Sequence, residues 1–127
     1  MNLAEVRTDI ESAIIIGQIS KVYKFVPERP NPPCAIVEPD TDFINVYENQ
    51  YEADYASNWK VQIIMPFASN QKETETLDDT LDILIPALWE HTTATRISVD
   101  KPFVLDINGA FYLATNIKIS IDITGGN

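Results

Sequence analysis

Between Lys21 and Asp40 the chain reads KVYKFVPERPNPPCAIVEPD and holds five of its eight prolines. Proline fixes φ near −65° and offers no backbone N–H, so Pro27, Pro30, Pro32 and Pro33 exclude helix and prevent regular strand pairing there. The chain must leave a sheet at Pro27 and re-enter it near Cys34. A segment this stiff keeps its shape with little packing, which suits a connector that turns a corner or presents a contact surface.

What flanks the bend has ordinary globular composition. With 127 residues, 45% of them hydrophobic, the chain is long enough for one domain that buries about two-thirds of its unfolded surface. Nineteen acidic against nine basic residues leave a net charge of −10. Phosphate binding needs clustered cations, so nonspecific attraction to nucleic acid or to anionic lipid is disfavoured. Cys34 is the single cysteine, which excludes an intrachain disulfide and a cysteine-built zinc site and points to a reducing compartment. Its own reading is that of a small buried apolar residue. Glu5, Asp9 and Glu11 precede or abut the first apolar run, Ala13 to Ile16, in a pattern foreign to secretory signals, and no run approaches the roughly 20 apolar residues of a spanning helix. The expected setting is a cytoplasm, with no membrane partner.

Periodicity supplies the elements. Asn2 and Glu5 stand at cap spacing ahead of Leu3, Val6, Ile10, Ala13 and Ile14, which predicts a helix of about four turns ended by Gly17, with Arg7, Asp9 and Glu11 toward solvent. Ile19 to Val26 alternates as a strand that runs into the prolines, and Cys34 to Glu38 resumes as a short strand stopped by Pro39. Phe43, Ile44 and Val46 make a brief strand-like piece. Tyr47, Tyr51 and Tyr55 then recur every four residues, as either a turn of helix or a long hairpin loop. Trp59, Val61, Ile63, Met65 and Phe67 form one face of the clearest strand, with Lys60, Gln62, Ile64 and Pro66 on the other. Ser69 or Asn70 caps a second helix carrying Leu77, Leu81, Leu84 and Leu88, and Pro86 predicts a break after Ile85. Arg96 to Val99 is a possible strand. Asn108-Gly109 is a tight-turn dipeptide between Phe103 to Ile107 and Ala110 to Thr115, and Ile117, Ile119, Ile121 and Ile123 alternate with polar residues to the frayed Gly125-Gly126-Asn127 end. The fold class that follows is α+β, a single mostly antiparallel sheet packed by two helices in one domain.

Motifs for catalysis are sparse. His91, the one histidine, follows the second helix, where it can satisfy terminal carbonyls. No serine sits in a nucleophile-elbow pattern, and the four glycines form neither a P-loop nor a dinucleotide motif. Glu75, Asp78, Asp79 and Asp82 share a helix face that reads as solvated and could also serve a metal or an intersubunit contact. Asp40 and Asp42 are near neighbours in sequence, with nothing that sets them as an acid and base pair. No catalytic residue, cofactor or metal is assigned.

Taken together, the N-terminal helix, VYKFVPERPNPPCAIVEPDTDFINVY, the strand NWKVQIIMPFA, the helix around ETLDDTLDILIPAL and the closing isoleucine-rich strand IKISIDI after FYLATN resemble tail terminator proteins of long-tailed bacteriophages. The likeness covers nearly the whole chain in element order; Pro86 splits the second helix more sharply than the family's pattern. The resemblance implies a structural virion protein, assembled in the host cytoplasm as a hexameric ring on the tail tube. Its partners would be the tail tube protein and the head-completion or connector protein, with DNA only passing through the lumen. A ring needs two different complementary patches on each subunit. The candidates are the proline bend (Pro27, Pro30, Pro32, Pro33) and the tyrosine segment (Tyr47, Tyr51, Tyr55). The competing readings are another neck or tail-completion subunit, a small metal-dependent enzyme using the Glu75 to Asp82 face, and an adaptor domain binding through Tyr47 to Tyr55.

Overall fold

Residues 117–123 alternate isoleucine with polar side chains, and the strand they belong to is the longest among the described residues. A computed structural model describes residues 2–47, 55–66 and 70–124, with backbone alone at 70–73. Helix α1 spans Leu3–Ile16, strand β1 Val22–Tyr23, β2 Cys34–Val46, β3 Tyr55–Met65, α2 Asn70–His91, β4 Ala94–Val99, β5 Phe103–Ile107 and β6 Ala110–Ile123. The strands form one sheet in the order β1-β2-β3-β6-β4, with β5 lying beyond β4 on the same edge of β6. Every pairing is antiparallel except that of β1 with β2. The fold is α+β, as the periodicity predicts.

The two helices cover one face. Trp59, Val61, Ile63 and Met65 of β3 and Ile117, Ile119, Ile121 and Ile123 of β6 are buried there against Val6, Ile10 and Ile14 of α1 and Leu77, Leu84 and Leu88 of α2. Trp59 is the hub of one end of this core. Its indole N–H donates to the Ser57 hydroxyl (3.0 Å), which donates to the Ile121 carbonyl (2.8 Å). Phe43 meets it edge-on at 4.8 Å, and the Arg7 guanidinium lies 4.9 Å over its ring. Arg7 is therefore not turned to solvent as helical spacing suggests: its stem covers the tryptophan while Nη1 donates to the Val37 carbonyl at 3.3 Å. The Asn2 side chain accepts from the Glu5 amide at 2.9 Å, the expected N-cap.

Three expectations need correcting. The strand after α1 is only two residues long and parallel to β2, because the proline segment carries the chain back to the end of the sheet where it began instead of reversing it. Pro39 does not stop β2. Ala35 sends its N–H outward to the Lys21 carbonyl (2.9 Å), and strand alternation puts the Pro39 nitrogen on that same outer edge, where no donor is needed. The chain then shifts register between Pro39 and Ile44, with Asp42 at φ 53°, and continues to Val46. Pro86 does not break α2, which runs unbroken through it; burial of Leu84, Ala87 and Leu88 on either side holds the helix while the proline itself is exposed. Tyr47 directly follows β2 and Tyr55 opens the antiparallel β3, in keeping with the hairpin alternative, while Tyr51 lies outside the described residues, as do Phe67, Ser69 and the terminal Gly125 to Asn127. The Asn70 side chain is likewise outside the description.

Gly17 does end α1, but not through a positive φ. Its own φ is −74°, and the left-handed residue is Gln18 at φ 75°. Gly17 is required by proximity: a Cβ there would lie 2.7 Å from Leu84 Cδ1 and 3.2 Å from Leu84 Cα, where α1 meets α2. At the other end of the chain, Asn108 (φ 52°) and Gly109 (φ 85°) form the predicted tight turn, and the Asp106 carboxylate accepts from the Gly109 amide at 2.9 Å.

Two stability measurements follow. Gly17→Ala should lower the urea or thermal midpoint by an equivalent of about 1–3 kcal/mol, because a methyl group must be forced into a filled helix contact. Pro86→Ala should raise it, by up to about 3 kcal/mol, because the helix already continues through that position and regains a hydrogen bond. A Pro86→Ala variant no more stable than the parent would show that the ring makes contacts of its own.

Candidate functional site

The two segments nominated by sequence lie at opposite ends of the sheet. The proline segment, residues 24–33, arches from β1 to β2 at the end where β5 and β6 turn. It is tied there by the Asn108 side chain, which donates to the Glu28 carbonyl at 3.1 Å. Pro30 is buried, Pro27 and Pro32 are half-buried and Pro33 is exposed; the Pro32–Pro33 bond is cis. Beneath the arch, on the face away from the helices, Cys34, Ile36 and Ile64 form a second small core with Tyr23, Leu105, Ile107 and Tyr112. Between arch and hairpin is a groove of about 500 Å³ lined by Val26, Pro27, Glu38, Gln62, Leu105 and Asn108. Apolar side chains left to solvent at this end include Phe25 (72% exposed) and Val26 on the arch and Phe111 on the hairpin.

At the far end Tyr47 donates its hydroxyl to the Asp122 carboxylate at 2.6 Å. That hydrogen bond, with the carboxylate's charge, raises the tyrosine pKa above its ordinary value. Tyr55 is half-buried and packs on the main core. Of the tyrosine set, one member is therefore a strand clasp and one a core residue, and neither hangs free as an arm. The free apolar side chain here is Val46, at 72% exposure.

The helix-free face holds what sequence reading missed. There β2, β3, β6 and β4 set side chains in a polar row: Lys60 pairs with Glu38 at 3.0 Å, Lys118 with Asp100 at 3.6 Å, Gln62 donates to Asn116 at 3.2 Å and Ser120 to Asn58 at 2.7 Å. A cup of about 170 Å³ opens in this face, lined by Asp40 and Thr41, Asn58, Arg96 and Ser98, and Lys118 and Ser120. Asp40 lines it and its carboxylate accepts from the Thr41 amide at 2.8 Å, while the Asp42 backbone carbonyl accepts from the side chains of Asn45 and Asn58. Arg96 makes no ion pair among the described residues. The signal for this face was present in the sequence as the alternate residues of β3 and β6, but its members come from four strands and only pairing register assembles them.

The remaining candidates separate. Glu75, Asp78, Asp79 and Asp82 are all exposed on α2, and no three metal-ligating side chains gather among the described residues. His91 is the last residue of α2, and the carbonyl at that end is served by Thr92, whose hydroxyl donates to the Leu88 carbonyl at 2.6 Å. A scan against protein-family models gives no match, and a search of curated proteins finds no relative.

Cys34 is a core side chain. Burial removes water from the thiolate and pushes the pKa up to about 11. In the native protein Cys34 should therefore resist thiol reagents near pH 8 and label at full rate only on unfolding. Any native labelling should climb toward pH 11 instead of levelling near 9, the value of a free thiol, and fast labelling at pH 8 would contradict this burial.

Proposed function

We propose that the chain is a structural subunit of the head–tail junction of a long-tailed bacteriophage, a tail terminator that forms a ring on the tail tube and meets the head-side connector. The observation that carries this reading is where the subunit leaves large apolar side chains uncovered. Phe25 on the arch (72% exposed) and Phe111 on the β5–β6 hairpin (57%) lie at one end of the sheet, Val46 lies at the opposite end, and Trp89 (57%) lies on the outer side of α2. A ring member has two like neighbours, a tube below and a connector above, and so has use for apolar contact surface in more than one place. The α+β fold, with helices on one face of a mostly antiparallel sheet, is also what the resemblance implies. Net charge of −10 suits a ring through which DNA passes without being gripped.

The test is direct. The purified chain added to growing tail tubes should stop their elongation and appear by electron microscopy as a ring at one tube end. Binding to the connector without binding to tubes would reassign it to the head side of the joint, and binding to neither would end the reading.

A further inference from the structure

We propose that copies of this chain join head to tail by seating the outer face of α2 of one copy on the helix-free sheet face of the next, with the α2 carboxylates meeting Arg96. The contact rests on the ring reading above and names the surfaces that would build it.

The argument starts from where charge lies. Helices α1 and α2 contain nine acidic and two basic residues, a net −7 of the chain's −10. On α2, at 100° per residue, Asp78, Asp79 and Asp82 are exposed and fall outside the stripe of buried Leu77, Leu84 and Leu88, with Asp79 on the side toward Gly17 and Gln18. None of them makes an ion pair among the described residues. Trp89 lies on the same outer stripe, seven residues beyond Asp82, and is 57% exposed. An acid row ending in an uncovered tryptophan has the composition of an interface anchor, an aromatic for buried area beside charges for orientation.

The opposite face of the molecule is its complement. No helix covers it, Lys60 and Lys118 on it are paired within the subunit, and Arg96 lines the polar cup without an ion pair among the described residues. Ser98 lines the same cup and can donate to a carboxylate that Arg96 holds. Because donor and acceptor surfaces lie on opposite faces of one chain, each copy uses both, so the contact is heterologous and closes as a ring when its rotation closes. Strand addition at the sheet edges is a poorer route. On β2 the outer edge is occupied by β1, by the Arg7 guanidinium at Val37 and by the N–H-less Pro39, and Pro102 interrupts the edge made by β4 and β5.

The experiment is sedimentation of the full chain across concentration at low and high ionic strength. Wild type should self-associate, more weakly in high salt. Arg96→Glu, and separately Asp78→Arg with Asp82→Arg, should each weaken association by roughly tenfold or more, and a chain carrying all three changes should recover it. Trp89→Ala should weaken association at either ionic strength. All four positions are exposed, so unchanged circular dichroism and unfolding midpoints are expected. A charge-swapped chain that stays dissociated, or an Arg96→Glu chain that associates like wild type, overturns this contact while leaving tube capping intact. A wild-type chain that stays monomeric throughout overturns it too. Loss of tube capping by the wild type is the separate result that removes the ring reading.

Discussion

Eleven consecutive pairs join β3 to β6, from Tyr55 opposite Ile123 to Met65 opposite Leu113, and the rest of the chain is disposed around that ladder. It matches apolar with apolar on one face, Trp59 against Ile119 and Val61 against Ile117, and polar with polar on the other, Lys60 against Lys118 and Asn58 against Ser120. A slip of one residue would turn the isoleucines of β6 to water and the lysines under the helices, so the register is strongly specified. The like-charged pair Lys60 and Lys118 is relieved by Glu38 on one side and Asp100 on the other, which binds β2 and the end of β4 to the ladder by charge as well as by backbone. Both helices then exist to cover one face, while the other needs only water or a partner.

The parts of this arrangement legible in the sequence are those set by local rules. Alternation in β3 and β6, the Asn2 cap and the Asn108-Gly109 turn each depend on residues within a few positions, and the structure repeats them. The parts that were not legible depend on which edge or which face a residue meets. Pro39 reads as a stop until the outer edge of β2 is known to need no donor from it. Pro86 reads as a break until burial on both sides is seen to outweigh one lost hydrogen bond. The tyrosine spacing leaves a helix turn and a hairpin loop both open, and only the antiparallel pairing of β2 with β3 decides between them. The polar cup draws on β2, β3, β4 and β6, and no window of sequence holds them together.

The polar ties at the two ends of the sheet show how a chain with few ion pairs holds its irregular segments. At one end the Tyr47 hydroxyl reaches the Asp122 carboxylate over a sequence separation of 75, and at the other Asn108 reaches the Glu28 carbonyl over 80. Both are exposed, so each contributes little to stability beyond about 1 kcal/mol, the net worth of an ordinary hydrogen bond or somewhat more where a charge takes part. Their effect is positional. The first fastens the end of β2 to the last strand, and the second fastens the arch to the hairpin turn.

That fastening alters what the proline arch can be. Four prolines limit its shapes before any contact is made, burial of Pro30 and the small core of Cys34, Ile36 and Ile64 fix it from below, and Asn108 holds it at its side. A segment restrained in these three ways loses little further entropy on meeting a partner, which favours its use as a contact surface. Yet the prolines themselves are mostly turned into the subunit. What the arch holds outward is Phe25 and Val26, so the prolines act as the mount and the phenylalanine as the surface mounted. A partner at this end would meet an aromatic ring on a rigid support, a geometry that a glycine-rich loop with the same phenylalanine would not provide.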